Sequence, residues 1–188
     1  MEASERQGIL ESAGVEFCPG LTDDEIAVVQ RKYGFVFPPD LRDILSYALP
    51  VSKGWVNWRN GDEDSIRSRL DWPFEGMCFD VENNDFWCKS WGVQPVSLDQ
   101  AFAVVKHMLD QAPTLIPIFS HRYMPERPSS PGNPVFSVYQ TDIIYYGSDL
   151  QNYLENEFSN YFGTSHYNIG SHVREVELWS TLAVDGDC

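Results

Sequence analysis

The residues best suited to chemistry are concentrated in the segment SHRYMPERP, which follows a short apolar run. His121 could act as a general acid or base, with Asp142 orienting its imidazole ring. Arg122 or Arg127 could bind an anionic group beside them, as expected of a small hydrolase or an anion-binding enzyme. No nucleophile or metal-ligand signature accompanies these residues, so we assign no catalytic residue and expect a protein that is not an enzyme.

The same segment has two interpretations that involve no catalysis. As a contact loop it would present Arg122 and Tyr123 to a protein partner, because arginine and tyrosine are favoured interface anchors and prolines lower the cost of ordering a loop. As architecture, Arg122 would pair with a carboxylate and Tyr123 would pack over a sheet edge. The sequence alone favours architecture and leaves all three interpretations open.

Two tryptophans and an acidic loop are further candidates for binding. Trp55 and Trp58 are flanked by polar and basic residues, so we expect partly exposed rings that could contact a protein or stack on a sugar, as in a carbohydrate-binding module. The segment NGDEDS contains Asp62, Glu63 and Asp64. It lacks the ligand spacing of an EF-hand loop, so we expect a solvated acidic loop that could face a basic partner, and no metal site.

Composition limits the classes of partner. The chain has 188 residues, of which 13 are Lys or Arg and 28 are Asp or Glu, giving a net charge of −15. This charge opposes binding to nucleic acids and to anionic membranes, and it suits a basic protein partner or simply solubility. The segment MEASERQGIL lacks the apolar core of a signal peptide, and no CxxC motif occurs. We therefore expect a cytoplasmic protein with free thiols and no cofactor.

The elements that must position these residues alternate between helices and strands. Helices are predicted for 4–13, for LTDDEIAVVQRKYG with Thr22 and Glu25 as a capping box, for the segment that begins at Pro39, and for 97–112. DSIRSRLDW is predicted to form a short helix. We expect GMCFDV and DFWCKSW to form strands joined by a turn at 82–84, and TLIPIF, NPVFSVY and TDIIYYG to form three more. A helix follows in SDLQNYLENEF, and VREVELWSTLAV is a helix or a strand packed on the body.

This order predicts an α+β fold, a single domain with helices packed around a bent, largely antiparallel sheet. The 43% of apolar residues are enough to form one core. We expect 1–20 to be an N-terminal leader, 21–158 to be the domain, and 159–188 to be an extension that packs on the domain or trails from it.

Three segments, in this order, resemble the SUKH superfamily of yeast cell-wall assembly regulators and bacterial immunity proteins. The first is LTDDEIAVVQRKYGFVFPPDLRDILSYALP, a capped helix followed by an apolar-proline step and LRDIL. The second and third are DWPFEGMCFDV with FWCKSWG, and LIPIFSHRYMPERP with GNPVFSVYQTDIIYYGSDLQNYLENEF. The resemblance implies helices around a bent antiparallel sheet and binding of a protein partner, without a defining set of catalytic residues.

From these observations we expect a protein-binding domain that acts as an adaptor or regulator, or as a toxin-neutralising immunity-type protein, through an acidic concave surface. The partner would be basic, such as a toxin domain or a signalling component. The expected partner-binding residues are His121, Arg122, Tyr123, Arg127, Trp55, Trp58, Asp62, Glu63 and Asp64. The alternatives are the enzyme centred on His121, Arg122 and Asp142, and the carbohydrate-binding module that uses Trp55 and Trp58.

Overall fold

The structure, a computed structural model, describes residues 2–159, 168–170 and 172–185. The helices in these residues are α1 (Ala3–Ser12), α2 (Asp23–Tyr33), α3 (Pro39–Tyr47), α4 (Glu63–Asn83), α5 (Leu98–Gln111), α6 (Leu150–Phe158) and α7 (Trp179–Asp185), with one 3-10 turn at Lys89–Trp91. The strands are β1 (Phe17–Pro19), β2 (Ala48–Pro50), β3 (Leu115–Phe119), β4 (Arg122–Pro125), β5 (Val135–Tyr139) and β6 (Asp142–Gly147). The predicted α+β class is confirmed.

Helix α2 begins and ends where the sequence predicts. The Thr22 side chain accepts a hydrogen bond from the Glu25 backbone N–H, and the Glu25 carboxylate accepts one from the Thr22 N–H. Gly34 ends the helix in the left-handed conformation, at φ 78°. The Arg59 guanidinium, which also donates to the Pro19 and Gly20 carbonyls, holds the pKa of Glu25 down to about 2.

The larger sheet is antiparallel and runs in the order β3-β4-β5-β6. Pro117 lies in the edge strand β3 and next to a register shift, as its missing N–H predicts. Strand β4 was not predicted, because its segment was interpreted as part of a basic loop. It pairs with β3 on one side and β5 on the other, and Arg122 lies opposite Ser137. The smaller sheet pairs β1 with β2.

The prediction of two strands joined by a turn at 82–84 is wrong. GMCFDV belongs to α4, which runs for 21 residues and contains Pro73, and DFWCKSW is a loop that ends in the 3-10 turn. Gly76 lets the helix cross the β5–β6 turn closely, since a Cβ there would lie 2.8 Å from the Gln140 Cα. The buried Asp80 fixes the crossing, because its carboxylate accepts hydrogen bonds from the N–H and hydroxyl of Thr141.

The larger sheet separates two apolar cores, and adjacent residues of its strands point to opposite cores. In β4, Tyr123 packs with residues of α4, α5 and α7, whereas Met124 packs with residues of α1, α2, α3 and α6. This alternation decides which helix each side chain of the candidate site faces.

Both ends of the described chain pack into the domain. The segment expected to be a leader includes α1, whose Leu10 is fully buried in the first core. The segment expected to be an extension includes Trp179, which is 2% exposed in the second core and donates from its indole N–H to the Pro113 carbonyl at 2.7 Å. Positions 160–167, 171 and 186–188 of that extension lie outside the described residues.

Candidate functional site

The predicted group of His121, Arg122 and Tyr123 is divided by the larger sheet. His121 lies in the β3–β4 turn, and Arg122 and Tyr123 open β4. Because side chains alternate along a strand, His121 and Tyr123 face α4, whereas Arg122 faces α6. The three side chains therefore do not form one surface loop, and the contact-loop interpretation is wrong for Arg122 and Tyr123, which are 8% and 1% exposed.

Arg122 serves the architecture of the second half of the chain. Its Nε donates to Glu157 Oε2 of α6 at 3.0 Å, and its Nη1 donates to the Ser137 hydroxyl at 3.1 Å. The guanidinium also stacks on the Tyr146 ring, 3.6 Å from the centroid. One side chain thus joins β4, β5, β6 and α6, as the architectural interpretation predicts.

Tyr123 explains why α4 tolerates a proline. Pro73 has no N–H, so the carbonyl of Arg69, four residues earlier, loses its helical hydrogen bond. The Tyr123 hydroxyl donates to this carbonyl at 2.8 Å. Burial raises the pKa of Tyr123, so the hydroxyl keeps the proton that it donates.

A cleft of about 450 Å³ lies between α4 and the ends of the central strands, and we call it the α4–sheet cleft. Helix α4 contributes Ser68, Arg69 and Trp72, and the other side is formed by Ser120, His121, Tyr123 and Tyr139. The exposed rings of Trp72 and Tyr139 contact each other, with centroids 6.3 Å apart, and form one aromatic wall. The Trp72 indole N–H donates to the Val138 carbonyl at 3.2 Å, which holds the ring against β5.

His121 is thus placed in a cleft, but not with the partners that the enzyme interpretation requires. Its Nδ1 lies 3.1 Å from the Ser120 hydroxyl. Among the described residues, no hydrogen bond or ion pair joins it to Asp142, which lies opposite Tyr139 at the start of β6. Burial, with a smaller contribution from the nearby Arg122 charge, lowers the pKa of His121 and favours the neutral ring.

Beside this cleft, α4 presents an outward stripe of carboxylates and aromatic rings. Positions 64, 71, 72, 75, 79 and 82 fall within one side of an α-helix of 3.6 residues per turn. We call this stripe the outer face of α4, and it consists of Asp64, Asp71, Trp72, Glu75, Phe79 and Glu82. All six residues are exposed, and none of the four carboxylates pairs with a cation of the described chain.

The two tryptophans proposed as binding platforms are packed. Trp58 is 6% exposed, and its ring contacts those of Tyr33, Phe35 and Phe37. Trp55 is half-buried and stacks on Phe158 at a centroid distance of 5.6 Å. The prediction of a partly exposed ring is wrong for Trp58, whereas Trp55 is partly exposed. Because Trp58 is buried, the two rings do not form the predicted platform for a sugar.

The remaining predicted residues are exposed but lie apart. Arg127, just beyond β4, donates to the Gln111 carbonyl at 3.2 Å. Asp62 caps α4 by accepting from the Ser65 N–H, and Glu63 pairs with Lys32 and with Arg67. Asp64 lies one residue further along α4 and belongs to its outer face. NGDEDS is therefore largely the cap and first turn of α4, and only partly a loop.

The cysteines and the acidic side chains are the other groups that could react or bind a metal ion. Cys18 and Cys78 are free, and burial raises the pKa of Cys78 to about 11. Cys88 takes part in a disulfide bond, contrary to the expected free thiol. No three His, Cys, Asp or Glu side chains in the described part converge to hold a metal ion. Within the described residues, no helix is both long enough and apolar enough to cross a membrane.

Sequence reasoning did not identify Arg69, Trp72 and Tyr139 as neighbours of His121. The signal was present in the spacing of Ile66, Leu70, Pro73, Met77 and Val81, which is helical and places Trp72 on the opposite side of the same helix. Comparisons with known proteins add no further residues: no family model, no curated protein and no solved structure matches this chain.

Proposed function

We propose that this chain is a non-enzymatic protein-binding domain that docks a basic protein partner on the outer face of α4. It would act as an adaptor or regulator, or as an immunity-type protein that neutralises a toxin domain by covering it. The resemblance of three segments to the SUKH superfamily supports this class of function. The net charge of −15 supports a partner whose charge is positive.

The observation that carries the proposal is the pattern of unpaired carboxylates on α4. Elsewhere in the described chain some carboxylates, such as Glu25, are matched by internal cations, and others, such as Glu16 and Asp43, are exposed and unpaired but do not share one helix face. Asp64, Asp71, Glu75 and Glu82 have no such match and extend over about 27 Å of helix. A row of uncompensated charge attracts a basic surface and accelerates association with it.

The aromatic rings on the same face offer apolar surface that a partner can bury, which charged residues alone do not provide. Trp72 is 38% exposed and Phe79 is 48% exposed, although residues of this size and type are usually buried. Tyr139 continues this apolar surface beside Trp72, at 56% exposure. Aromatic side chains dominate the binding energy of many interfaces and also attract the cations of lysine and arginine.

The position of the candidate catalytic groups favours binding over turnover. Arg122 is on the opposite side of the sheet from His121 and is committed to Glu157. The proposed mechanism is therefore occlusion or scaffolding, in which the rigid helix α4 presents a preformed surface and no bond is made or broken.

Affinity capture tests this function. The purified protein serves as bait in a lysate of its source cells, at low and at high salt, and bound proteins are identified by mass spectrometry. The proposal predicts a stoichiometric basic protein that is released as salt rises, because screening weakens exposed charge pairs. Capture of no protein at either salt concentration would contradict it.

A further inference from the structure

Arg69 is a half-buried cation that no carboxylate of the described chain balances. Its Nη1 donates to the Gly54 carbonyl at 3.0 Å and its Nη2 donates to the Ser120 carbonyl at 2.5 Å. No Asp or Glu of the described chain lies within ion-pair distance, in a protein where acids outnumber bases by more than two to one. Burial lowers the pKa of Arg69, although an arginine stays charged at any physiological pH.

This cation lines the α4–sheet cleft, where the other polar groups are neutral. The hydroxyls of Ser68 and Ser120 and the imidazole of His121 surround the same space. The remaining N–H groups of Arg69 have no hydrogen-bond partner among the described residues. An arginine with unused donors binds a carboxylate through charge-assisted hydrogen bonds, which are stronger than hydrogen bonds between neutral groups.

The lining of the cleft determines which chemical group can lie next to the ligand's carboxylate. The Trp72 and Tyr139 rings contact each other and form one apolar side of the space, whose volume of about 450 Å³ falls in the range of small-ligand sites. Such walls accommodate an apolar side chain next to the charged group. The ligand chemistry that fits is a carboxylate joined to an apolar group.

Two sources supply this chemistry, namely a free organic acid and the end of a peptide chain. A free acid would have to approach a protein with a net charge of −15. A peptide with basic residues before its end would instead be attracted by Asp71 and Glu75 on the neighbouring outer face of α4. The surrounding charge therefore favours the peptide.

We propose that the α4–sheet cleft binds the C-terminal carboxylate of a peptide or protein whose last residue is apolar and whose preceding residues are basic. Arg69 holds the carboxylate, and the last side chain packs on the rings of Trp72 and Tyr139. The basic character of this partner rests on the proposed function, whereas recognition of the carboxylate rests on the cleft alone.

Calorimetric titration with three probes tests the inference. The probes are a six-residue peptide with lysines upstream and a C-terminal phenylalanine, the same peptide with an amidated C-terminus, and N-acetylphenylalanine as the free acid. We expect the peptide acid to bind at least about tenfold more tightly than the amide, because the amide cannot form charge-assisted hydrogen bonds. Binding of N-acetylphenylalanine as tight as that of the peptide acid would overturn the assignment to a peptide.

Ser68→Asp places a competing carboxylate in the cleft without touching the contacts of Arg69. Ser68 is exposed and its side chain makes no hydrogen bond in the described chain, so folding is preserved. The matched control is Ser46→Asp, which makes the same change at an exposed position of α3. We expect Ser68→Asp to weaken binding of the peptide acid by about tenfold and Ser46→Asp to leave it unchanged.

The outcomes separate this inference from the proposed function. Equal affinity for the acid and the amide overturns carboxylate recognition, even if both peptides bind the acidic face. Equal effects of Ser68→Asp and Ser46→Asp show that the carboxylate is bound elsewhere, and absence of binding at millimolar peptide also overturns the inference. In each case a basic partner could still dock on the outer face of α4, which affinity capture tests separately.

Discussion

Replacing Tyr123 by phenylalanine tests the link between the central sheet and α4. The change removes the hydroxyl that donates to the Arg69 carbonyl and leaves that carbonyl without its partner. A buried hydrogen bond contributes about 1 kcal/mol, and an unsatisfied buried polar group costs about 1–3 kcal/mol. We expect the free energy of unfolding to fall by about 2 kcal/mol, which lowers the melting temperature by about 6 °C in a chain of this size.

Tyr153→Phe is the matched control. Tyr153 is also fully buried, but its hydroxyl has no hydrogen-bond partner in the structure. Removing a buried and unsatisfied hydroxyl relieves a desolvation penalty, so we expect unchanged stability or a gain of up to about 1 kcal/mol. The two substitutions remove the same atom from similar depths and should therefore have opposite or clearly unequal effects.

A double variant identifies the cause. Pro73→Ala restores the backbone N–H that can bond to the Arg69 carbonyl inside α4. In this background Tyr123→Phe should cost about 1 kcal/mol less than in the parent protein, as a double-mutant cycle measures. Urea unfolding followed by tryptophan fluorescence gives the free energy of unfolding of the four proteins of this cycle: the parent, the two single variants and the double variant. Equal losses for Tyr123→Phe and Tyr153→Phe, or strict additivity with Pro73→Ala, would refute the explanation.

Three further substitutions address other parts of the fold. Arg122→Met leaves the Glu157 carboxylate unpaired and should lower the free energy of unfolding by about 3 kcal/mol. The double variant that also carries Glu157→Met should regain part of this lost stability. Glu25→Gln should lower the free energy of unfolding at pH 5 and above. This difference from the parent protein should disappear as the pH falls from 4.5 to about 2, because the pKa of Glu25 is depressed in the folded state. A difference that stays constant across this range would contradict the role of the Glu25 charge. Gly76→Ala should cost about 1–3 kcal/mol in thermal unfolding, because its Cβ would lie 2.8 Å from the Gln140 Cα; an unchanged melting temperature would show that α4 can move away.

Elements with strong local signals were predictable from the sequence. The capping box of Thr22 and Glu25, the left-handed Gly34 and the first-turn Pro39 fix α2 and α3 within a few residues. The apolar runs that became β3, β5 and β6 were also identified. In each case the decisive interactions lie within a few positions along the chain, where sequence patterns can report them.

Only the first part of α4, DSIRSRLDW, could be predicted from local signals, because the sequence after it contains residues that usually interrupt helices. Pro73 removes a helical hydrogen bond, and Gly76 weakens the helix in isolation. Both are tolerated through distant contacts, since Tyr123 satisfies the free carbonyl and Gln140 needs the space that glycine leaves. These compensations depend on tertiary packing, which a single sequence does not reveal.

The candidate site was predicted in part for the same reason. His121 does lie in a cleft, and the architectural interpretation of Arg122 as half of an ion pair agrees with its contact with Glu157. Strand β4 was missed because a buried arginine makes its sequence resemble a loop. Arg69 and Trp72 reach His121 only because α4 crosses the sheet, so their role became visible with the structure.

The most direct test of the central claim is a binding titration of the captured basic partner against charge-reversal variants. Asp71→Lys with Glu75→Lys reverses two unpaired carboxylates on the outer face of α4. Glu16→Lys with Asp43→Lys makes the same change in net charge at exposed positions outside α4. Docking on α4 predicts at least about tenfold weaker binding for the first pair and a much smaller change for the second. Equal losses for the two pairs would contradict docking on α4, because net charge alone would then account for the attraction.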